Sequence, residues 1–250
     1  MYRKPAFALI LFALFFSMLC VKFGSVDVKA SDGFRVHNID TGLNYTTIQE
    51  AIDASETLHG HTIFVEEGIY YEHLVVNKSL SLIGENCSNT VIDGGGIGKV
   101  VTITANNTKI SGFKIRGSGF TPGGSDSGIY LGSSNNIVIN NTITNNDDWG
   151  IRLDSSSSNN TVINNNITDN WRGCMLKNAS SNSLAGNNIT DHGQDGICLW
   201  NSFNNTIASN TILNNAHGII LDSSYSNNVT GNNMTSNLYG VSLFSSSNNT

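Results

Sequence analysis

The sequence is poor in charge, in proline and in cysteine, and each shortage excludes a class of protein. Only 13% of its 250 residues are charged and the formal net charge is -6, so there is no basic stripe and we expect no nucleic-acid partner. The two prolines argue against a disordered linker. Removal of an N-terminal leader would leave Cys87, Cys174 and Cys198, an odd number that does not indicate a full disulfide framework.

Residues 1–30 have the pattern of a signal peptide or an N-terminal anchor. Arg3 and Lys4 precede an apolar run over residues 6–21, and Ala30 offers a small-residue cleavage site before Ser31. The run is short for a membrane span. We therefore predict a secreted, cell-surface or periplasmic protein, with membrane anchoring as an open alternative.

Asparagine is abundant, with 36 residues, and 25 glycines accompany it. This composition is typical of chains in which tight turns dominate. Thirteen of the asparagines begin an Asn-x-Ser/Thr sequon, the acceptor site for N-glycosylation in exported proteins. The sequence therefore predicts a glycoprotein, although the abundance of Asn and Thr by itself also generates such sequons.

A Gly-Ile-x-Leu phrase recurs from residue 128 onward. It begins at Gly128, Gly150, Gly173, Gly196, Gly218 and Gly240, in steps of 22, 23, 23, 22 and 22 residues. Each repeat carries three short apolar segments separated by Asn, Ser or Gly, which predicts a parallel β-helix with three short strands per coil. A leucine-rich repeat has a similar period, but its Leu-x-x-Leu-x-Leu-x-x-Asn pattern is absent.

Residues 31–61 differ from the repeats and predict an N-terminal cap. Ile48, Ala51 and Ile52 share one helical face behind an N-cap at Thr46 or Thr47. Such a helix can close one end of a solenoid. Residues 62–250 then form the β-helix, and its other end is expected to be open, which predicts self-association or further sequence.

Strand alternation assigns the two faces of the recurring strand. Ile151 and Leu153 are expected to point into the core, so Arg152 and Asp154 point outward. The recurring asparagines are expected to stack at the corners of the coil, where they tolerate the left-handed conformation and bond along the axis.

Most of the sequence resembles the right-handed parallel β-helix superfamily, in its NosD-like or pectin-lyase-like branch. The resemblance is carried by residues 34–52, by the run HTIFVEEGIYYEHLVVNKSLSLIGENCSNTVIDGGG over residues 61–96, and by the Gly-Ile-x-Leu coils. The resemblance implies a right-handed coil and a family of carbohydrate-binding proteins, sugar hydrolases and envelope proteins. A shared fold of this kind does not assign an activity.

Two groups of charged residues contain the candidate catalytic side chains. The resemblance to pectate lyases implies an outer face on which carboxylates hold calcium and a basic group takes a proton, and the residues of suitable type are Asp154, Asp222, Arg152 and Lys177. Asp154 and Lys177 are one coil apart and would also form an ordinary surface salt bridge. Asp147 and Asp148 would divide acid and base roles in a glycoside hydrolase. Residues 146–150 resemble the Asp-Asp motif of polygalacturonases, but the Asn-Thr-Asp, Gly-His-Gly and Arg-Ile-Lys motifs that accompany it in those enzymes are missing from the neighbouring coils.

Exposed aromatic residues indicate carbohydrate binding, because their rings stack on sugar rings. The candidates are Tyr130, Trp149, Trp171, Trp200 and Tyr239.

The NosD-like resemblance also implies a link to copper-enzyme maturation, so residues that could bind copper must be considered. Cys174 takes an inward position and Cys198 an outward one, so the two thiols should not share a metal, and Met175 beside Cys198 is the only close soft pair. No residue set is assigned as a metal site.

We therefore expect an exported β-helix protein that binds a polysaccharide or a cell-envelope glycan, or serves as an envelope scaffold, without catalysis. The first alternative is a polysaccharide lyase or glycoside hydrolase acting on an acidic glycan. The second is a NosD-like factor in copper-enzyme maturation.

Overall fold

The computed structural model describes residue 33, residues 35–155 and residues 157–250, so the predicted export segment over residues 1–30 lies outside the described part. The chain forms a right-handed parallel β-helix of eight coils. Each coil contributes one strand to each of three sheets, which we call the first, second and third sheet in the order in which the chain meets them. The predicted all-β class and three strands per coil are confirmed.

The strands of each sheet are as follows. The first sheet contains Thr62–Val65, Ser81–Gly84, Lys109–Ser111, Ile137–Ile139, Thr161–Ile163, Ser183–Ala185, Thr206–Ala208 and Asn228–Thr230, extended at one end by the antiparallel strands Val36–Asn38 and Leu43–Tyr45. The second contains Gly68–Tyr71, Thr90–Asp93, Lys114–Arg116, Thr142–Thr144, Asn166–Thr168, Asn188–Thr190, Thr211–Leu213 and Asn233–Thr235. The third contains Leu74–Val76, Val101–Ile103, Ser127–Leu131, Trp149–Leu153, Arg172–Lys177, Asp195–Trp200, His217–Asp222 and Tyr239–Phe244.

The core is a stack of inward side chains in register from coil to coil. In the third sheet, Ile129, Ile151, Cys174 and Ile197 occupy equivalent positions and are fully buried. Burial of these inward apolar residues is the main source of stability in a solenoid, since each coil contacts only its neighbours.

The apolar run over residues 110–115 is divided between two strands. Gly112, at a φ of +79°, turns the chain between Lys109–Ser111 and Lys114–Arg116. A positive φ is accessible to glycine without steric cost, so the coil bends at this residue.

The predicted amphipathic helix is present as Ile48–Asp53. Thr47 is its N-cap and forms a capping box with Glu50, while Ile48, Ala51 and Ile52 are fully buried. The helix lies against Val36–Asn38 and Leu74–Val76, so it covers the first coil. A boundary between cap and coil at residue 61 stays a prediction.

Buried asparagines form ladders along the corners, as expected. In the corner between the first and second sheets, Asn165 Oδ1 accepts the backbone N–H of Asn141 at 3.0 Å, and its Nδ2 donates to the carbonyl of Val138 at 2.9 Å. The residue just before, Asn164, has a φ of 53°. The left-handed turn and the bond along the axis are therefore made by two consecutive asparagines, which explains pairs such as Asn140-Asn141 and Asn204-Asn205.

Candidate functional site

The glycine of the repeated phrase is required by close packing inside the coil. A Cβ on Gly150 would lie 2.9 Å from Asn170 Nδ2, 2.9 Å from Ile167 Cγ2 and 3.0 Å from the carbonyl oxygen of Gly173. Those atoms belong to the interior, so Gly150 and the following Ile151 both face inward. The alternation of the strand is broken at this point, and the residue before the glycine lies on the outside.

The outer face of the third sheet therefore carries three columns of side chains, which we call the third-sheet face. The column before the glycine contains Ser127, Trp149, Arg172, Asp195, His217 and Tyr239. The column between Ile and Leu contains Tyr130, Arg152, Met175, Cys198, Ile220 and Ser242. The column after Leu contains Gly132, Asp154, Lys177, Trp200, Asp222 and Phe244.

Sequence alternation places the last two columns outside, as observed, but misses the first. Arg172 and His217 were therefore not among the candidates. The signal for them is the glycine itself, because an invariant glycine inside a strand marks a close approach of backbones and a local break in alternation.

Arg172 organises the first column. Its guanidinium lies 5.1 Å from the centre of the Trp149 ring, and Nη1 donates to Asp148 Oδ1 at 2.9 Å. Its Nε lies 3.8 Å from Asp195 Oδ2. One cation thus bridges an aromatic ring and two carboxylates on neighbouring coils.

The same column continues through His217. Its Nδ1 lies 3.0 Å from Asp195 Oδ1, and its ring stacks on Tyr239 with the ring centres 5.0 Å apart. The column therefore passes along the helix axis from the charged pair Arg172 and Asp195 to the stacked rings of His217 and Tyr239.

The expected ion pair between Asp154 and Lys177 is not formed, and each of the two residues has a different partner. Arg152, two residues away on the same strand, donates from Nη2 to Asp154 Oδ2 at 3.0 Å. Lys177 instead lies over the Trp200 ring, 4.6 Å from its centre. Arg152 is buried because its Nη1 also donates to the carbonyl of Gly124 at 2.8 Å, in a loop between the second and third sheets that the other coils lack.

Asp147 and Asp148 face different surroundings despite being adjacent. Asp148 is buried against Arg172, and desolvation raises the pKa of its carboxyl although Arg172 acts in the opposite direction. Asp147 is exposed and lines an open depression of about 550 Å³ with Phe120, Asp169 and Trp171. The division of acid and base roles between the two carboxylates stays a prediction.

The candidate aromatic residues differ in accessibility. Tyr239, Trp171 and Trp200 are 54%, 44% and 42% exposed, and Tyr130 is half-buried with Lys99 Nζ 4.2 Å from its ring centre. Trp149 is only 6% exposed and lies beneath Arg172. Four of the five candidates therefore have ring surface open to a ligand, while Trp149 supports the arginine.

The sulfur residues take the positions predicted for them. Cys174 is in the core, in register with Ile197, and Cys198 is outward, in register with Met175. Burial raises the pKa of both thiols to about 12, which disfavours the thiolate that binds a metal. Within the described part of the chain, no three His, Cys, Asp or Glu side chains are arranged to hold a metal ion.

Comparison with known proteins identifies the family. The family model described as periplasmic copper-binding protein (NosD) matches residues 54–250. This chain belongs to the NosD family. Copper is implied by that description, but the donor set does not fit it. Met175 and Cys198 are in register, yet no group of three His, Cys, Asp or Glu side chains among the described residues is arranged around a metal, and burial raises the pKa of the Cys198 thiol to about 12.

Other relatives share part of the chain or its fold. A cell surface glycoprotein of Methanothermus fervidus is 39% identical over 112 residues, which are 44% of this chain and 17% of that protein. Tailspike protein 2 of an Escherichia coli O157:H7 bacteriophage superposes with a TM-score of 0.53 at 16% identity, over 73% of this chain and 33% of that one. Its enzymatically active domain, solved separately, gives a TM-score of 0.51 at 16% identity, over 74% and 38%.

At 16% identity the tailspike comparisons show the fold alone. The chain also spans less than a fifth of the glycoprotein relative. Across the described residues, no helix is long and apolar enough to cross a membrane.

Proposed function

We propose that this chain is an exported cell-surface protein that binds glycan through the third-sheet face without cleaving it. The observation that carries the proposal is the composition of that face, which combines charged groups with the exposed aromatic rings of Trp200, Tyr239 and Phe244. Successive coils are spaced about 4.8 Å apart, so the columns form a flat, elongated surface rather than an enclosed pocket. A linear polymer fits such a surface better than a small molecule does.

The chemistry of the face suits an acidic polysaccharide. Trp200 and Tyr239 can stack on the apolar faces of sugar rings, and Asp222 can accept hydrogen bonds from hydroxyl groups. Lys177 lies over the Trp200 ring, so a sugar carboxylate bound beside that ring would meet a cation. Calcium would be an additional bridge between carboxylates of protein and glycan, although no described cluster holds it alone.

The relatives support the cellular location. The family is described as periplasmic and the curated relative as a cell surface glycoprotein. Both locations are extracytoplasmic, in agreement with the export segment expected over residues 1–30. Attachment to a membrane stays a prediction.

Retention on immobilised acidic polysaccharides tests the proposal. Trp200→Ala should weaken binding by about tenfold, because the stacking of one aromatic ring contributes about 0.5–1.5 kcal/mol beyond its buried area. The matched control is Tyr71→Ala, which removes an exposed ring from the second sheet and should bind as the parent does.

Equal loss in both variants would contradict the assignment of the face. Absence of binding by the folded parent to any polysaccharide on a glycan array would contradict the function itself.

A second candidate is hydrolysis or lyase cleavage of an acidic glycan, favoured by one observation. The Asp148 carboxyl has a raised pKa and lies beside Arg172 at the edge of the third-sheet face. A carboxyl of this kind can serve as a general acid. Release of reducing ends or unsaturated products, abolished by Asp148→Asn, would support this candidate over simple binding.

Self-association also stays a prediction.

A further inference from the structure

The thirteen sequon asparagines are distributed unevenly over the surface. They lie in the first sheet (Asn44, Asn228), the second sheet (Asn166, Asn188, Asn233), the corner between these two (Asn86, Asn140) and the corner between the third and first sheets (Asn77, Asn106, Asn159, Asn178, Asn204, Asn248). None lies in a strand of the third sheet or in the corner between the second and third sheets.

The buried asparagine ladders contain no sequon asparagine either. Each sequon asparagine is half-buried or exposed, whereas ladder residues such as Asn165 and Asn187 are buried and bonded at both ends of the amide. This exclusion has a structural reason, because a sugar attached to a ladder amide would be incompatible with the stacked coils.

The exclusion from the third-sheet face has no such reason at Asp222. Asp222 lies on that face, is half-buried as several sequon asparagines are, and is followed by two serines. Asparagine in its place would complete a sequon. The corner beside that face, lined by Asn145, Asp169, Asp191 and Asn214, is accessible yet has none.

We propose that N-linked glycans cover the first and second sheets and two corners of this β-helix and leave the third-sheet face and its neighbouring corner bare. Asn159, Asn204 and Asn228 are suitable acceptors, because they are exposed and their side-chain amides are not hydrogen-bonded to any of the described residues. The role of the bare face as the ligand surface rests on the proposed function, whereas the map of modified asparagines does not.

The modification is a group transfer from a sugar donor activated as a lipid phosphate. Nδ2 of asparagine attacks C1 of the sugar, the C1–N bond forms, and the C1–O bond to the phosphate breaks. The lipid phosphate leaves with the electron pair, and the amide gives one proton to the base of the transferring enzyme.

One pair of acceptors should exclude each other. Asn166 and Asn188 are in register on adjacent coils, and Asn188 Nδ2 donates to Asn166 Oδ1 at 2.7 Å. Two bulky sugars cannot be accommodated at a spacing of about 4.8 Å, so one chain should carry a glycan on at most one of the two.

The test uses the full chain secreted from an N-glycosylating host and the same chain from a host without this pathway. Mass spectrometry of intact glycopeptides should find sugar at Asn159, Asn204 and Asn228. Parent chains from the two hosts should bind acidic polysaccharide equally, since the sugars lie away from the face. Unmodified asparagine at all three positions would overturn the map.

Asp222→Asn tests the bare face, because it creates the sequon Asn-Ser-Ser on it. The glycosylated variant should bind polysaccharide at least about 10-fold more weakly than the same variant made without sugar, owing to steric exclusion. Equal binding by the two forms would overturn the role of the face. Failure of every unmodified chain to bind would contradict the proposed function and leave the map of modified residues standing.

Discussion

His192 replaces asparagine in one of the buried ladders, and this replacement predicts a pH-dependent stability. The ladder at the corner between the second and third sheets contains Asn146, Asn170, His192, Asn215 and Asn237. The imidazole is 4% exposed, and its Nδ1 lies 3.3 Å from the backbone nitrogen of Asn170. Its Nε2 is buried without a hydrogen-bond partner.

Burial lowers the pKa of His192 from 6.5 to about 4, although the Asn170 carbonyl and the carboxylates of Asp169 and Asp191 act in the opposite direction. Because the folded pKa lies below the unfolded one, the unfolded chain binds the proton first as the pH falls. The contribution of neutral His192 to stability is fully present above about pH 6.5 and is lost between there and about pH 4. A difference of this size corresponds to about 3 kcal/mol of unfolding free energy.

The perturbation is His192→Asn, which restores the ladder residue found in the coils on either side. Urea unfolding of parent and variant, followed by circular dichroism at several pH values between 7 and 4, gives the difference in unfolding free energy at each pH. Titration of all other groups cancels in that difference. We expect it to move by about 3 kcal/mol in favour of the variant as the pH falls, with the same denaturant slope m for both chains.

A difference that stayed constant across this pH range would refute the reasoning. It would mean that His192 has the same proton affinity in the folded and unfolded chains, and therefore is not buried as a neutral ring.

Two further substitutions test the construction of the coil. Gly196→Ala would place a Cβ 2.7 Å from the carbonyl oxygen of Gly218, so it should destabilise the chain by about 1–3 kcal/mol in thermal or urea unfolding. In the control Gly240→Ala, the added Cβ meets nothing within 4 Å and the change in stability should be close to zero. Equal effects would contradict the packing role of the glycine. Asn165→Ala removes the side chain that bonds the backbone N–H of Asn141 and the carbonyl of Val138, which should cost about 1–3 kcal/mol of stability for each buried group. An unchanged urea midpoint would contradict a stabilising role for the asparagine ladder.

Much of the fold is predictable from the sequence because one rule repeats. The period of the phrase gives the coil, three apolar segments give three strands, and Ile151 and Leu153 are in the core as alternation requires. The capping helix is predictable from the spacing of its apolar residues and from Thr47. These features depend on local propensity and on contacts between equivalent residues, and both can be read along the chain.

The candidate site is less predictable for two physical reasons. First, alternation fails at Gly150, so the outward position of Trp149 and Arg172 follows from a close backbone approach that periodicity alone does not reveal. Second, the partners of a charged side chain depend on small differences between neighbours. Asp154 is within reach of Arg152 on its own strand and lies in register beside Lys177, and the buried guanidinium is the one that pairs with it.

The outer surface of the second sheet shows why the third-sheet face is the place to look for function. At the first position of the second-sheet strands the chain repeats Thr142, Asn166, Asn188, Thr211 and Asn233, small polar residues that satisfy the coil. Equivalent outward positions in the third sheet hold Trp, Arg, Asp, His and Tyr. The same coil rise and strand pairing apply to both sheets, so the coil itself does not demand this variety. This difference between the two sheets is in accord with the proposal that a ligand contacts the third-sheet face.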